Sequence, residues 1–439
     1  MQVQMQVTTD LSGLYGRTYA VDPGQWHPLA AASAGATVLL GPHVELVAWG
    51  EAARIRLPAG LRSIAGTDAV SDMLRRVGQE DAVGVPGGGP LALAALPFDP
   101  AAPCDLIVPR WIDGRNSDGL RWRTEVGPSG GEGDGVLEQH VPPWADRGGT
   151  DRPDASPEPP GDGDEWSPDR FDLQAGVPHA EFCKLVELAT ERIGSDSLQK
   201  VVLARDVRVS CNRPLVLGEV LSRLRALFPS CTLFSVEGFV GATPELLVRL
   251  QGRAVLSRPL AGTAAHSGDT IADALAEERL MESAKDRREH RLAVRTVAHE
   301  LSRFCSSVST PGTPEVLRLR NVSHLASPVR AVLDRPIDAA GLAAALHPTG
   351  AVCGYPRQEA LRFLADHEPI SRGRYAGPVG WVDRNGDGEW WVGIRSAEVH
   401  GSDARLFAGV GVVEGSQPRS ELAETQLKLQ ALLAALVRP

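Results

Sequence analysis

Tyr375-Ala-Gly-Pro-Val-Gly-Trp381 and Trp390-Trp-Val-Gly-Ile-Arg395, joined through Asp383-Arg-Asn-Gly-Asp-Gly388, form the stretch from which the fold of this chain is read. Alternating apolar positions flank Asn385-Gly386, and Asn-Gly between such runs is a strong hairpin signal. Pairing symmetric about Asn385 sets Tyr375 and Arg395 opposite each other on one face. Ala408-Gly-Val-Gly411 follows as a strand whose bare backbone a ligand can approach closely. Glu421, Glu424 and Lys428 then share one face of a terminal helix through i, i+3 and i, i+4 spacing. A phenol, a guanidinium, two carboxylates and an ammonium in one stretch suit a small anionic ligand held partly through a metal.

Outward from that hairpin, strands and helices intersperse along the whole chain. The hairpin favours antiparallel over wound parallel sheet, so the fold class is α+β. Strands are expected at Val38 to Gly41, Val44 to Trp49 and Leu91 to Pro97, with a helix from Ala69 to Val77. Residues 1–126 carry no defensible chemistry and read as scaffold. From 127 to 168, Gly, Pro, Asp and Glu dominate and little can be buried, as expected of a mobile acidic loop. Residues 169–439 form the catalytic part. There, Phe182, Leu185, Val186, Ala189 and Ile193 mark a helix that stops near Gly194. Lys200 heads an apolar strand, Val220, Leu221 and Leu224 mark another helix, and strands are expected at 232–236 and 246–250. The run from Asp269 to Ser302, without internal Gly or Pro, reads as one long helix.

Composition narrows the function. A hydrophobic fraction of 43% is ordinary for a soluble protein. A net charge of −10 with no basic run argues against nucleic acid as a partner. The six cysteines lack metal-ligand spacing, so they read as reduced thiols of the cytoplasm and not as a zinc site. No signal peptide and no run of membrane-spanning length is present, which points to a cytoplasmic protein without a membrane partner.

Asp286 and Glu289 share one helix face and match the paired Glu421 and Glu424. Two helices each presenting a carboxylate pair suit magnesium, which keeps waters and takes substrate oxygens as further ligands; a solvated charged face has the same spacing. Lys200 is either a buried base or a lysine snorkelling from a strand end. Glu245, entering an apolar strand, is either an acid with a raised pKa or a salt-bridged strand end. His324 and His347 stand singly. Asp383-x-Asn385-x-Asp387 opens like a calcium loop but has Ile394 at the position that requires Glu, and the glycines from Gly409 to Gly415 miss dinucleotide-binding spacing.

Taken together, Lys200-Val-Val-Leu-Ala-Arg, Gly241-Ala-Thr-Pro-Glu-Leu-Leu, Pro259-Leu-Ala-Gly-Thr, Lys285-Asp-Arg-Arg-Glu-His, Leu346-His-Pro-Thr-Gly, Tyr375-Ala-Gly-Pro-Val-Gly, Ile394-Arg, Ala408-Gly-Val-Gly and Glu421-x-x-Glu-Thr-x-x-Lys428 resemble, in order, the chorismate-utilising enzymes. The resemblance covers residues from about 180 to the end. It implies a single large chorismate-binding domain of layered, mostly antiparallel sheets flanked by helices, with a magnesium-dependent site. Carried over by position, Lys200 is the base that activates water and Glu245 the acid that protonates the departing hydroxyl. Glu289 and Glu424 match the metal ligands, with Asp286 and Glu421 as nearby carboxylates. His324, Tyr375, Arg395, Gly409, Gly411 and Lys428 match substrate-binding positions, and Ala351 and Val352 belong to the same pocket.

Single residues indicate the branch. Ala261 stands where lysine-type aminodeoxychorismate synthases carry a nucleophilic lysine. Ammonia-using members usually lack the lysine base kept here as Lys200. Salicylate synthases typically carry Thr at Ala351, whereas Ala followed by an aliphatic residue resembles the isochorismate synthases. Gly350 and Cys353 depart from the usual Pro and Ser. The resemblance therefore implies an isomerase, an isochorismate synthase acting on chorismate, with a salicylate synthase or an ammonia-using synthase component as alternatives. A monomer or at most a weak homodimer is expected. The downstream use (siderophore, menaquinone or another metabolite) is left open.

Overall fold

Period-two burial builds the centre of the molecule. The structure, a computed structural model, describes residues 5–22, 26–129, 168–195, 198–320 and 322–437. Successive strand side chains point to opposite faces, so each central strand feeds two cores. Val38 and Leu39 separate this way, as do Leu46 and Val47, and Trp381 and Val382. One core lies between two large sheets: Leu39, Leu46, Phe234 and Phe239 of the first meet Leu91, Leu93, Val379 and Trp381 of the second. Each such fully buried side chain contributes about 1.5–3 kcal/mol. The far face of the first sheet packs against helices Leu217–Leu227 and Pro418–Leu436. The far face of the second packs against Ala69–Leu74 and Ala339–Leu346. The result is helix, sheet, sheet, helix.

Among the described residues the sheets have 13, 10 and 3 strands. Nearly all pairings are antiparallel, the exception being Leu14–Ala20 with Gly78–Asp81. The architecture is thus the expected α+β type. Strands from the first third sit inside both large sheets: Leu91–Ala95 pairs with Pro378–Asp383, and Thr37–Leu40 with Thr232–Val236.

The hairpin register is the one read from the sequence. Pro378 pairs with Val392 and Val382 with Gly388, so the pairing is symmetric about Asn385. The ladder stops at Pro378, however, and Tyr375 and Arg395 lie three residues beyond its last rung on either side. Two other readings are corrected. The stretch from Asp269 to Ser302 is two helices, Thr270–Glu282 and Ala284–Leu301. Ser283 leaves helical geometry at ψ 114 and its side chain accepts the Asp286 N–H, so a local cap wins over helix propensity. The helix expected from Ala69 to Val77 ends at Leu74. Strand Arg121–Pro128 takes in the first two residues of the acidic segment, and the mobile-loop reading otherwise lies outside the described residues. No helix among them is long and apolar enough to cross a membrane.

Candidate active site

Strand alternation places Lys200, Val202 and Ala204 of Lys200–Cys211 on one face, and Val202 pairs with Gly411 and Ala204 with Gly409 of Asp403–Val412. Both glycines line a cavity, with functional side chains close above them. A Cβ on Gly411 would lie 2.9 Å from Glu289 Oε1 and 3.0 Å from Lys200 Cε, and one on Gly409 would lie 2.9 Å from the Tyr375 hydroxyl. Bare backbone therefore leaves room for neighbouring functional groups. Twelve of the fourteen catalytic, binding and metal residues expected from the sequence line a single cavity there, together with Ala261: Lys200, Glu245, Glu289, His324, Ala351, Val352, Tyr375, Arg395, Gly409, Gly411, Glu424 and Lys428. Asp286 and Glu421 are not on its wall.

Glu245 sits at the junction between Phe239–Thr243 and Leu246–Gln251, after Pro244. It is 3% exposed, and burial pushes its carboxyl up to about 8, against smaller opposing effects from the Leu260 N–H and from Lys200. A carboxyl neutral at pH 7 is the form a proton donor needs. The salt-bridged strand-end reading does not hold among the described residues.

Lys200 is also 3% exposed, so its chain does not snorkel to solvent. Its Nζ donates to Glu289 Oε1 at 2.7 Å. Burial alone would raise the Glu289 carboxyl, but the ammonium of Lys200, with Lys285 and Lys428 beyond it, holds it below the usual range. Helix Pro418–Leu436 repeats the arrangement: Lys428 Nζ contacts Glu424 Oε1 at 2.7 Å and donates to the Gly409 carbonyl at 2.8 Å. Both carboxylates expected to hold a metal are thus paired with a lysine. Glu421, buried on that helix, is raised by desolvation despite a hydrogen bond from Ser416.

Arg395 is a further cation lining the cavity. The Arg395 guanidinium stacks over Phe228 at 5.1 Å, and its Nη2 donates to His324 Nε2 at 3.0 Å. His324 Nδ1 lies 3.1 Å from the Gly262 carbonyl and 3.2 Å from Thr263 Oγ1. The Nδ1–H tautomer satisfies all three contacts, and burial, with Arg395 next, pulls the imidazole down to about 3. His324 is therefore a neutral orienting group for Arg395. Among the described residues no carboxylate pairs with Arg395, which leaves its charge for a ligand. Burial raises the Tyr375 phenol, keeping it a donor; its ring stacks on Phe407 at 5.0 Å. Ala376 and Arg395 both have left-handed backbone, at φ 63 and 50. Non-glycine residues held there cost about 1–2 kcal/mol each, and both of these line the cavity.

Sequence reasoning passed over Thr263, Ala376 and Phe407, which also line the cavity. Thr263 lies in the Pro259-Leu-Ala-Gly-Thr block and Ala376 in Tyr375-Ala-Gly-Pro-Val-Gly, so a signal was present for both, whereas Phe407 lies outside every such block. His347 is structural, with Nε2 bonded to the Phe98 carbonyl at 2.8 Å.

Among the described residues no three His, Cys, Asp or Glu side chains gather into a metal cage. The oxygen donors of Glu289 and Glu424, brought to one cavity by two helices, fit a hard cation that completes its shell with water and ligand oxygens. The wall as a whole can hold a dianion, donate one proton and accept another.

Residues 145–437 match the profile of the family described as chorismate binding enzyme. Isochorismate synthase DhbC of Bacillus subtilis is 38% identical over 273 residues, 59% of this chain and 69% of that protein. The salicylate biosynthesis isochorismate synthase of Pseudomonas aeruginosa is 42% identical over 247 residues, 54% of this chain but only 50% of that protein. Among solved structures, MenF, the menaquinone-specific isochorismate synthase of Escherichia coli, is similar with a TM-score of 0.78 at 25% identity, over 97% of this chain and 95% of that one.

Proposed function

The chain belongs to the chorismate binding enzyme family, and from that premise we propose that it is an isochorismate synthase. The carrying observation is that a buried lysine at the head of a strand and a buried carboxyl held neutral at pH 7, at the junction between the two large sheets, line one cavity. Lys200 takes a proton from water, whose oxygen bonds to C2 of chorismate. The ring double bonds shift, the C4–oxygen bond breaks, and Glu245 gives its proton to the departing hydroxyl. Water enters and water leaves, so the net reaction is an isomerisation without a redox cofactor.

Arg395, Tyr375 and Lys428 hold the substrate's carboxylates, with His324 fixing the Arg395 fork. Magnesium held by Glu289 and Glu424 would neutralise and orient the ring carboxylate. To serve as base, Lys200 Nζ must turn from the Glu289 carboxylate that it contacts at 2.7 Å toward the water it activates. Separation of that pair is therefore part of turnover. Ala351, in the cavity wall, leaves no hydroxyl where salicylate synthases typically carry one.

The test is purified protein with chorismate, with and without magnesium and ammonia, resolved by chromatography and assayed for pyruvate. A magnesium-dependent isochorismate peak without pyruvate is expected. Salicylate with pyruvate, or an ammonia-dependent amino product, would replace this reading with another branch of the family.

A further inference from the structure

The strand that carries Lys200 has a gap in its ladder. On the edge away from Asp403–Val412 it pairs with Gly354–Tyr355 at Lys200 and Val201, and with Phe171–Ala175 only from Val207 onward. Between these partners the Val202 carbonyl and the Ala204 N–H have no strand to bond. Buried backbone groups left unpaired are destabilising, so partners must come from elsewhere. Two side chains fill the gap. Arg372 Nη2 donates to the Val202 carbonyl at 2.6 Å, and Glu368 Oε1 accepts the Ala204 N–H at 3.1 Å.

The same two side chains form a buried ion pair, each 4% exposed. Arg372 Nε lies 2.8 Å from Glu368 Oε2, and the guanidinium stacks over Phe98 at 4.1 Å. The remaining arm, Nη1, donates to the Val352 carbonyl at 2.8 Å. One planar fork thus binds two backbones at once: the strand of Lys200, and the segment whose Ala351 and Val352 form the cavity wall. Neither charge reaches the cavity itself.

We propose that Glu368 and Arg372 are positioning residues for the reaction, holding the Ala351–Val352 wall in register with the strand that carries Lys200. The proposal rests on the isochorismate synthase reading for its kinetic consequence, though not for its structural one. The geometry needs arginine. Lysine keeps the charge, but its single nitrogen cannot serve the Glu368 carboxylate and both carbonyls in one plane. A misplacement of about 1 Å in such a site costs on the order of a hundredfold in rate.

A matched pair elsewhere separates positioning from stability. Arg123 also forks onto a buried carboxylate, with Nε and Nη2 at 2.7 and 3.0 Å from Asp113, and stacks over Trp111 at 4.3 Å, away from the cavity. The experiment compares R372K, E368Q and R123K in the full-length protein. It measures thermal midpoint, kcat and KM for chorismate, and amide hydrogen exchange. R372K is expected to lose roughly tenfold to a hundredfold in kcat and to exchange faster at residues 200–204 and 351–354. E368Q, which keeps an acceptor for Ala204, should show a smaller effect of the same kind. R123K should lower the midpoint with kcat unchanged.

A folded R372K with wild-type kcat and exchange would overturn the proposal, as would an R123K whose kcat falls equally. Should the wild-type protein fail to turn over chorismate, the functional reading fails, and exchange at 200–204 and 351–354 still decides whether the pair holds the wall.

Discussion

Lys200 and Glu289, 89 residues apart in sequence, meet at 2.7 Å as the closest ion pair on the cavity wall, matched there only by Lys428 and Glu424. The proposed base and a proposed metal ligand are therefore each other's counter-charge. Lys200→Ala should abolish turnover while chorismate still binds, measured by product formation and calorimetry. It should also destabilise the fold by about 3–5 kcal/mol in chemical denaturation, because Glu289 is left buried without its partner. The double variant K200A/E289Q should recover part of that loss. An active K200A enzyme would remove the assignment of the base.

Glu245 should impose a pH limit. With its carboxyl raised to about 8 by burial, kcat/KM should fall as pH rises through about 8, where the acid ionises. Its effect on stability has the same direction. Between pH 4.5 and about 8 the unfolded chain has released this proton and the folded chain has kept it, so stability declines as pH rises across that window. Glu245→Gln should be inactive yet show a higher thermal midpoint than wild type near pH 8, with the difference vanishing near pH 4.5. Equal midpoints for the two proteins at both pH values would show that Glu245 is not held neutral.

Removing divalent cations should abolish activity, and magnesium should restore it. The readout independent of turnover is thermal: magnesium should raise the midpoint of the wild-type protein and much less that of E289Q or E424Q, since ligands stabilise only the state that binds them. A full magnesium shift in both variants would relocate the site.

Gly411→Ala tests the bare backbone. Its methyl would lie 2.9 Å from Glu289 Oε1 and 3.0 Å from Lys200 Cε, so both must shift. The loss in kcat should exceed tenfold, consistent with misplacement of reacting groups, with a change in midpoint of only a few degrees. A substitution to Ala at Gly401, whose added Cβ would meet open space but which has φ 61, should instead lower stability and leave kcat intact.

Much of this was legible in sequence because it is local. The hairpin register follows from Asn385-Gly386 and alternation, and the shared face of Glu421, Glu424 and Lys428 follows from helical spacing. The break at Ser283 rests on a Ser-x-x-Asp cap inside a run whose lack of Gly and Pro favours one continuous helix, so the stronger pattern points the wrong way. Glu368 and Arg372 gave no chemical signal. Four residues apart, they look like a surface helix pair, and only the gap in a distant strand gives them their work.

By itself the sequence determined which groups are available, in what order, and which of them share a strand face or a helix face, since those depend on periodicities of two and 3.6 residues. The tertiary structure alone decided that Glu245 is neutral, that Lys200 is paired with Glu289 and that Arg395 has no carboxylate partner among the described residues. Protonation and pairing depend on burial and on charges brought close by packing of three sheets and two helices, and no local pattern in the chain encodes those distances.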